Sequence, residues 1–251
     1  MKNESARSCG LFWIFGFLFF LPLLFSAAAQ GEAVTSIRLV LPPQPDPVVQ
    51  KIAKVFTRQV QSRCDAAVNT QGEASLTVEL VIESGIGAEG FQITDSSSGV
   101  IRIRGNDQRG LLYGVGKFLH TSSYDSRGFT SSAWRGTSAP RMPVRGIYFA
   151  SHFHNYYQVA PIEEITQYIE DLSLWGVNSF MVWFGMEEFT GMGDPQAQAM
   201  IERLRVLLKA GKDLGLTASL VSVCNEGYAN SPAELRAEDG TVNRPGWHTK
   251  N

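Results

Sequence analysis

The stretch "MPVRGIYFASHFHNYYQ", residues 142–158, decides how this chain is read. Its centre, "VRGIYFAS" (144–151), is an apolar run of strand length, and it ends abruptly on His152, His154, Asn155 and a group of rings. A continuous apolar run between polar flanks is the pattern of a strand covered on both faces, as in a parallel sheet. The unit then repeats. Pro161 opens a helical segment "PIEEITQYIEDLSLWG" (161–176), and "VNSFMVWFG" (177–185) is a second strand. Asp194 and Pro195 start another helix in which Met200, Leu204, Leu207, Leu208 and Leu214 share a face, and "LTASLVSV" (216–223) is a third strand. Strand, helix, strand, helix, strand at this spacing implies parallel pairing, because each helix can carry the chain back across the sheet.

In parallel α/β folds all strands point the same way, so their carboxyl ends share one rim, where ligands collect. The first strand delivers His152, His154 and Asn155 to that rim. The second delivers Trp183, Glu187 and Glu188, and the third Asn225, Glu226 and Tyr228. Short polar groups beside rings suit a sugar, whose hydroxyls take hydrogen bonds while its C–H faces lie on aromatic surface. Carboxylates at such a place suit glycosidic chemistry, which needs an acid opposite a base or nucleophile. Glu226, directly after an apolar strand, is the candidate catalytic group. The alternative for Glu187 and Glu188 is a solvated loop.

Upstream the pattern differs. "TSIRLVLP" (35–42) alternates as a strand, and Asp46–Pro47 begin a helix whose stripe is Val48, Val49, Ile52, Val55, Phe56 and Val60. "ASLTVELVIES" (74–84) alternates, "GFQITD" and "GVIRIRG" read as a hairpin around "SSSG", and a second amphipathic segment begins near Asp107. This intermixing predicts a small α+β domain over 31–125. Residues 121–140, rich in Ser, Thr and Gly, read as connecting chain, the linker proper being 126–141. The expected fold class is thus a small α+β domain followed by α/β over 142–251, the first three strands of a (β/α)8 barrel.

Composition excludes some functions. A net charge of −2, with both signs evenly spread, offers no footprint for nucleic acid. Residues 1–29 have the three-part form of a secretory signal: Lys2 and Arg7, then "LFWIFGFLFFLPLLFSAAA", closing on small residues before Gln30. The expected location is therefore secreted or periplasmic, with a membrane role only if that segment stays attached. Cys64 and Cys224 are too few for a disulfide framework; they are either two buried thiols or one bridge. "GIGAEG" (85–90) matches a dinucleotide pattern but leads into a strand rather than a helix, so it reads as a turn, and no cofactor is expected. His152 and His154 have a metal-pair spacing without a third ligand, and no HExxH segment occurs, so no metal is expected either.

Two segments carry a resemblance. "GVIRIRGNDQRGLLYGVGKFLH" (99–120), with Gly105, Asp107, Gly110, Tyr113 and Gly114 in the pattern G-x-D-x-x-G-x-x-Y-G, resembles the end of the zincin-like domain that precedes the barrel in β-N-acetylhexosaminidases and α-glucuronidases. "APRMPVRGIYF" (139–149), through Pro140, Arg141, Arg145 and Gly146, is similar to that family's entry into the barrel. The resemblance implies a glycoside hydrolase acting on carbohydrate. It also implies that the family's catalytic Asp-Glu pair, on a fourth strand, falls beyond Asn251, leaving this chain as an inactive N-terminal part. The sequence departs from the pattern at Ala150 and Phe153, where hexosaminidases carry an Asp and a sugar-binding Arg, and at "WFGMEEF" (183–189), where they carry H-x-T-D. A carbohydrate-binding protein that kept the scaffold without the chemistry is the alternative.

Overall fold

The computed structural model describes residues 32–222 and 226–232. Residues 1–29, read from sequence as a signal, lie outside the described residues, as do Cys224, Asn225 and His248. The described chain is a mixed α/β structure with mostly parallel strand pairing.

The first half forms a six-stranded sheet. β1 (Ser36–Val40) lies between β2 (Ala67–Asn69) and β3 (Leu76–Ile82), parallel to both. β3 runs parallel to β5 (Val100–Gly105), which pairs antiparallel with β4 (Phe91–Ser97). β8 (Gly136–Ser138) completes the sheet against β4. Residues read as linker therefore add a strand, and β6 (Ser123–Asp125) and β7 (Gly128–Thr130) make a small hairpin beside it. "GIGAEG" is a turn into β4, as its sequence context predicts.

Two helices cover one face of this sheet. In α1 (Pro47–Gln61) the Asp46 carboxylate accepts the Val48 N–H at 2.8 Å and Pro47 occupies the first turn, so the helix starts where capping chemistry dictates. Its stripe, Val49, Ile52, Val55, Phe56 and Val60, is buried with Ile37 and Leu39 of β1. α2 (Gln108–Thr121) is capped by Asp107, which accepts the Gly110 N–H at 2.9 Å. Its glycines are close-approach positions: a Cβ on Gly110 would stand 2.1 Å from the Gly90 carbonyl oxygen, and one on Gly116 would stand 1.9 Å from that of Leu174.

The second half is a three-stranded parallel sheet, β9 (Gly146–Phe149), β10 (Ser179–Trp183) and β11 (Thr217–Val221), with β10 central. α4 (Ile162–Leu174) and α5 (Pro195–Lys212) connect the strands, and a one-turn helix α3 (Tyr156–Val159) follows β9. Phe149, Phe180 and Val182 are fully buried on the helix side, together with Ile165, Ile169 and Leu207. The opposite side, carrying Tyr148, Met181 and Trp183, is only partly covered, and Val144 and Tyr148 are exposed. The apolar run at 144–151 thus belongs to a strand packed on one face by the described residues, not on both.

Glu89 joins the halves. Its carboxylate accepts hydrogen bonds from Arg109 of α2 at 2.9 Å, from Asn178 before β10 at 3.1 and 3.2 Å, and from Arg145 before β9. Arg109 also reaches the Gly215 carbonyl at 2.7 Å and Thr217 Oγ1 at 2.9 Å. Burial opposes the charge on Glu89, but the bonds from Arg145, Arg109 and Asn178 outweigh it and hold the carboxyl below its ordinary range. Tyr113, buried beside this centre and facing the Glu89 charge, is pushed up to about 12. A second seam pairs buried Glu170 of α4 with Lys51 at 2.5 Å and with Arg58, both from α1.

Candidate functional site at the strand carboxyl ends

Parallel strands place residues 150–155, 184–188 and 226–228 at one end of the sheet. Ser151, fully buried, stitches the first two loops together: its hydroxyl donates to the Trp183 carbonyl at 2.7 Å and accepts the Trp183 N–H at 2.9 Å. The loop after β11 is tied to the second by Glu226, whose Oε1 accepts the Met186 N–H at 3.1 Å, and by the Ala229 N–H donating to the Phe189 carbonyl at 2.9 Å. The three loops therefore share one rim.

Rings wall this rim. The His152 ring lies 5.2 Å from Trp183 and 4.2 Å from Phe153, edge to face with the latter, and Tyr148 meets Trp183 edge-on at 6.3 Å. Tyr148 Oη and His152 Nε2 are hydrogen-bonded at 2.5 Å, and burial pushes the Tyr148 phenol up. Among the described residues, four buried atoms of the rim have no hydrogen-bond partner: His152 Nδ1, Trp183 Nε1, Glu187 Oε2 and Glu226 Oε2. An indole N–H donor, two carboxylate acceptors and one imidazole nitrogen are thus unspent among the described residues.

The other rim residues read from sequence are placed differently. His154 is exposed and bonds through its backbone N–H to Gln158 Oε1 at 2.6 Å, so His152, not His154, joins the ring wall. Asn155 is also exposed and donates its side-chain amide to the His152 carbonyl at 2.9 Å. Glu188 accepts the Phe153 N–H at 2.9 Å and the Gln158 amide at 2.6 Å. Tyr228 is half-buried against the core, and Asn225 lies outside the described residues. Tyr148, Ser151 and Gln158 take part without having been singled out from sequence, and Phe153, named there only as a departure from the hexosaminidase pattern, joins the ring wall. Only Tyr148 had a signal there: it lies two residues before Ala150, on the same strand face. Among the described residues no group of three or more His, Cys, Asp or Glu side chains is arranged to hold a metal ion. A cleft of about 730 Å³ between α1 and the carboxyl end of β1, lined by Leu39, Ala53, Lys54 and Thr57, contains none of the four unpartnered atoms.

No family model and no curated protein matches the sequence. Solved structures do match, among them glycoside hydrolases of families GH20 and GH138. The chitobiase of Flavobacterium johnsoniae superposes with a TM-score of 0.57 at 16% identity, over 77% of this chain and 32% of that one. The family GH20 β-N-acetylhexosaminidase of Streptomyces coelicolor A3(2) gives 0.53 at 14% identity, over 76% and 43%. A GH138 enzyme targeting pectin rhamnogalacturonan II gives 0.55 at 13% identity, over 75% and 31%. At such identities the likeness is one of fold, and the chain spans well under half the length of each of these structures.

Proposed function

We propose that this chain is the N-terminal part of a secreted glycoside hydrolase acting on O-glycosidic bonds, with residues 31–125 as an accessory α+β domain and 142–251 as the opening strands of a (β/α)8 barrel. Residues 1–29 serve as the signal for export, and the substrate is an oligo- or polysaccharide. The observation that carries the reading is the rim itself: two carboxylate oxygens, an indole N–H and an imidazole nitrogen without partners among the described residues, beside a wall of four rings. Hydroxyls both donate and accept, so a sugar offers the kinds of bond these atoms lack, and its C–H face suits ring surface. In this reading Glu226 and Glu187 face the glycosidic region, with Trp183 and His152 orienting the ring, and Tyr228 on the third loop.

The test is hydrolysis of a panel of aryl glycosides by the complete gene product and by its Glu226→Gln variant. A fall in kcat of at least about 100-fold is expected for an acid or base; unchanged turnover removes Glu226 from the chemistry. Phe153 favours a second reading, a carbohydrate-binding protein without turnover, because an exposed ring stands where hexosaminidases carry a sugar-binding Arg. Saturable oligosaccharide binding with no hydrolysis of any member of the panel would decide for it.

A further inference from the structure

Phe153 and His154 are consecutive non-glycine residues in the left-handed region, with φ of 56° and 55°. Such backbone persists only where surrounding bonds over-determine it. Here the bonds form a closed ring. Glu188 Oε1 accepts the Phe153 N–H at 2.9 Å, Glu188 Oε2 accepts from Gln158 Nε2 at 2.6 Å, and Gln158 Oε1 accepts the His154 N–H at 2.6 Å. Both amides of the left-handed pair are thereby held by one carboxylate and one carboxamide. Asn155 closes the turn from the other side through the His152 carbonyl at 2.9 Å.

We propose that Glu188 is a positioning residue: together with Gln158 it fixes the left-handed turn and so sets where His152 and Phe153 stand against Trp183. The proposal rests on reading this rim as a sugar site. Glu188 differs in this from its neighbour Glu187, whose Oε2 is buried and unspent, and from Glu226, which keeps one oxygen free. With both oxygens of Glu188 committed to the loop, its work is done on the ring wall rather than on substrate.

The ring of bonds has a property that separates this role from a charge acting on ligand: it survives an exchange of its two members. In Glu188→Gln the amide oxygen keeps the Phe153 N–H, but its nitrogen then faces the nitrogen of Gln158. Turning the Gln158 amide mends that contact only by pointing its nitrogen at the His154 N–H. Adding Gln158→Glu restores every bond, since the new carboxylate accepts from the residue-188 amide and from His154. The experiment records long-range ¹H–¹⁵N spectra of the histidine rings in the complete gene product, with His152→Gln to assign the signal, and kcat/KM on 4-nitrophenyl N-acetyl-β-D-glucosaminide.

In the parent the bond from Nε2 to Tyr148 should give His152 the pattern of a single tautomer. Glu188→Ala is expected to average that pattern and Glu188→Gln to shift it partway. The exchanged pair should return it to the parental form and restore a kcat/KM lowered about 10- to 100-fold in the single variants. An unaltered His152 pattern in Glu188→Ala overturns the proposal. So does an exchanged pair that folds yet stays as impaired as Glu188→Gln, which would mean that the charge is needed at 188 itself. A His152 pattern that shifts and recovers in a protein that hydrolyses neither this glycoside nor any other member of the aryl glycoside panel supports the positioning role and counts against the hydrolase reading alone.

Discussion

Phe153 combines two unfavourable features, an exposed ring and left-handed backbone. For a non-glycine residue that backbone costs about 1–2 kcal/mol, and 68% exposure returns little by burial. Glycine meets no such penalty at this φ, although it loses more chain entropy on folding. Phe153→Gly is therefore expected to leave stability unchanged or raise it by up to about 1 kcal/mol, while weakening oligosaccharide affinity by removing part of the ring wall. Thermal unfolding beside titration with a chitooligosaccharide checks it: a large loss of stability would mean the ring is part of the core. The same residue shows where sequence reading stops. Alternation along β9 assigns Tyr148 and Ala150 to one side, but it carries no information past the strand end, where two left-handed residues redirect the chain. Glu187, Glu226 and Trp183 could be named as rim residues because they sit at or just past strands; the preference for His152 over His154 depended on φ values that no residue type announces.

Helices of more than about two turns and strands of four residues or more were legible because each carries its own pattern. The apolar stripe of α1, the face of α5 and the run in β10 are visible in composition alone. β2, β6, β7 and β8 span three residues each, too short for any period, and β8 joins its sheet from a segment of Gly, Thr and Ser. Backbone pairing to β4 defines it, and backbone pairing is silent in side-chain pattern. The two-sided burial expected for 144–151 failed for a related reason: an apolar run reports that surface is available, not that a neighbour covers it. Between elements the contacts are tight. Gly116 of α2 lies against the last turn of α4, and an alanine there would place Cβ 1.9 Å from the Leu174 carbonyl oxygen, which is backbone and cannot rotate away. Gly116→Ala should push the two helices apart and cost about 3 kcal/mol or more, against the small gain alanine usually brings to a helix interior. Denaturant unfolding of the variant decides; a neutral or stabilised protein would show that the helices do not meet there.

At the scale of the whole described structure, the arrangement of the rim depends on how the six-stranded and three-stranded sheets are held together, and Glu89 is the densest polar contact between them. One carboxylate takes bonds from Arg109, on the helix of the first sheet, and from Arg145 and Asn178, which precede β9 and β10. Glu89 itself has φ of 57°, so its loop is bent to bring the charge to this point. Replacing it by glutamine would leave two guanidinium groups facing a neutral amide whose own N–H bonds point at donors. The loss should be about 2–3 kcal/mol at pH 7. Because the folded carboxyl titrates below its ordinary value of 4.5, its contribution is complete above that pH. It then declines as pH falls through the depressed folded value, where the protonated acid no longer binds the arginines as an anion. Urea midpoints for the parent and Glu89→Gln should therefore differ by a constant amount from pH 7 down to about 5 and draw together progressively as the pH falls below 4.5. A gap that widened on acidification would assign the stabilising form to the protonated acid and remove the ion-paired seam as the link between the two sheets.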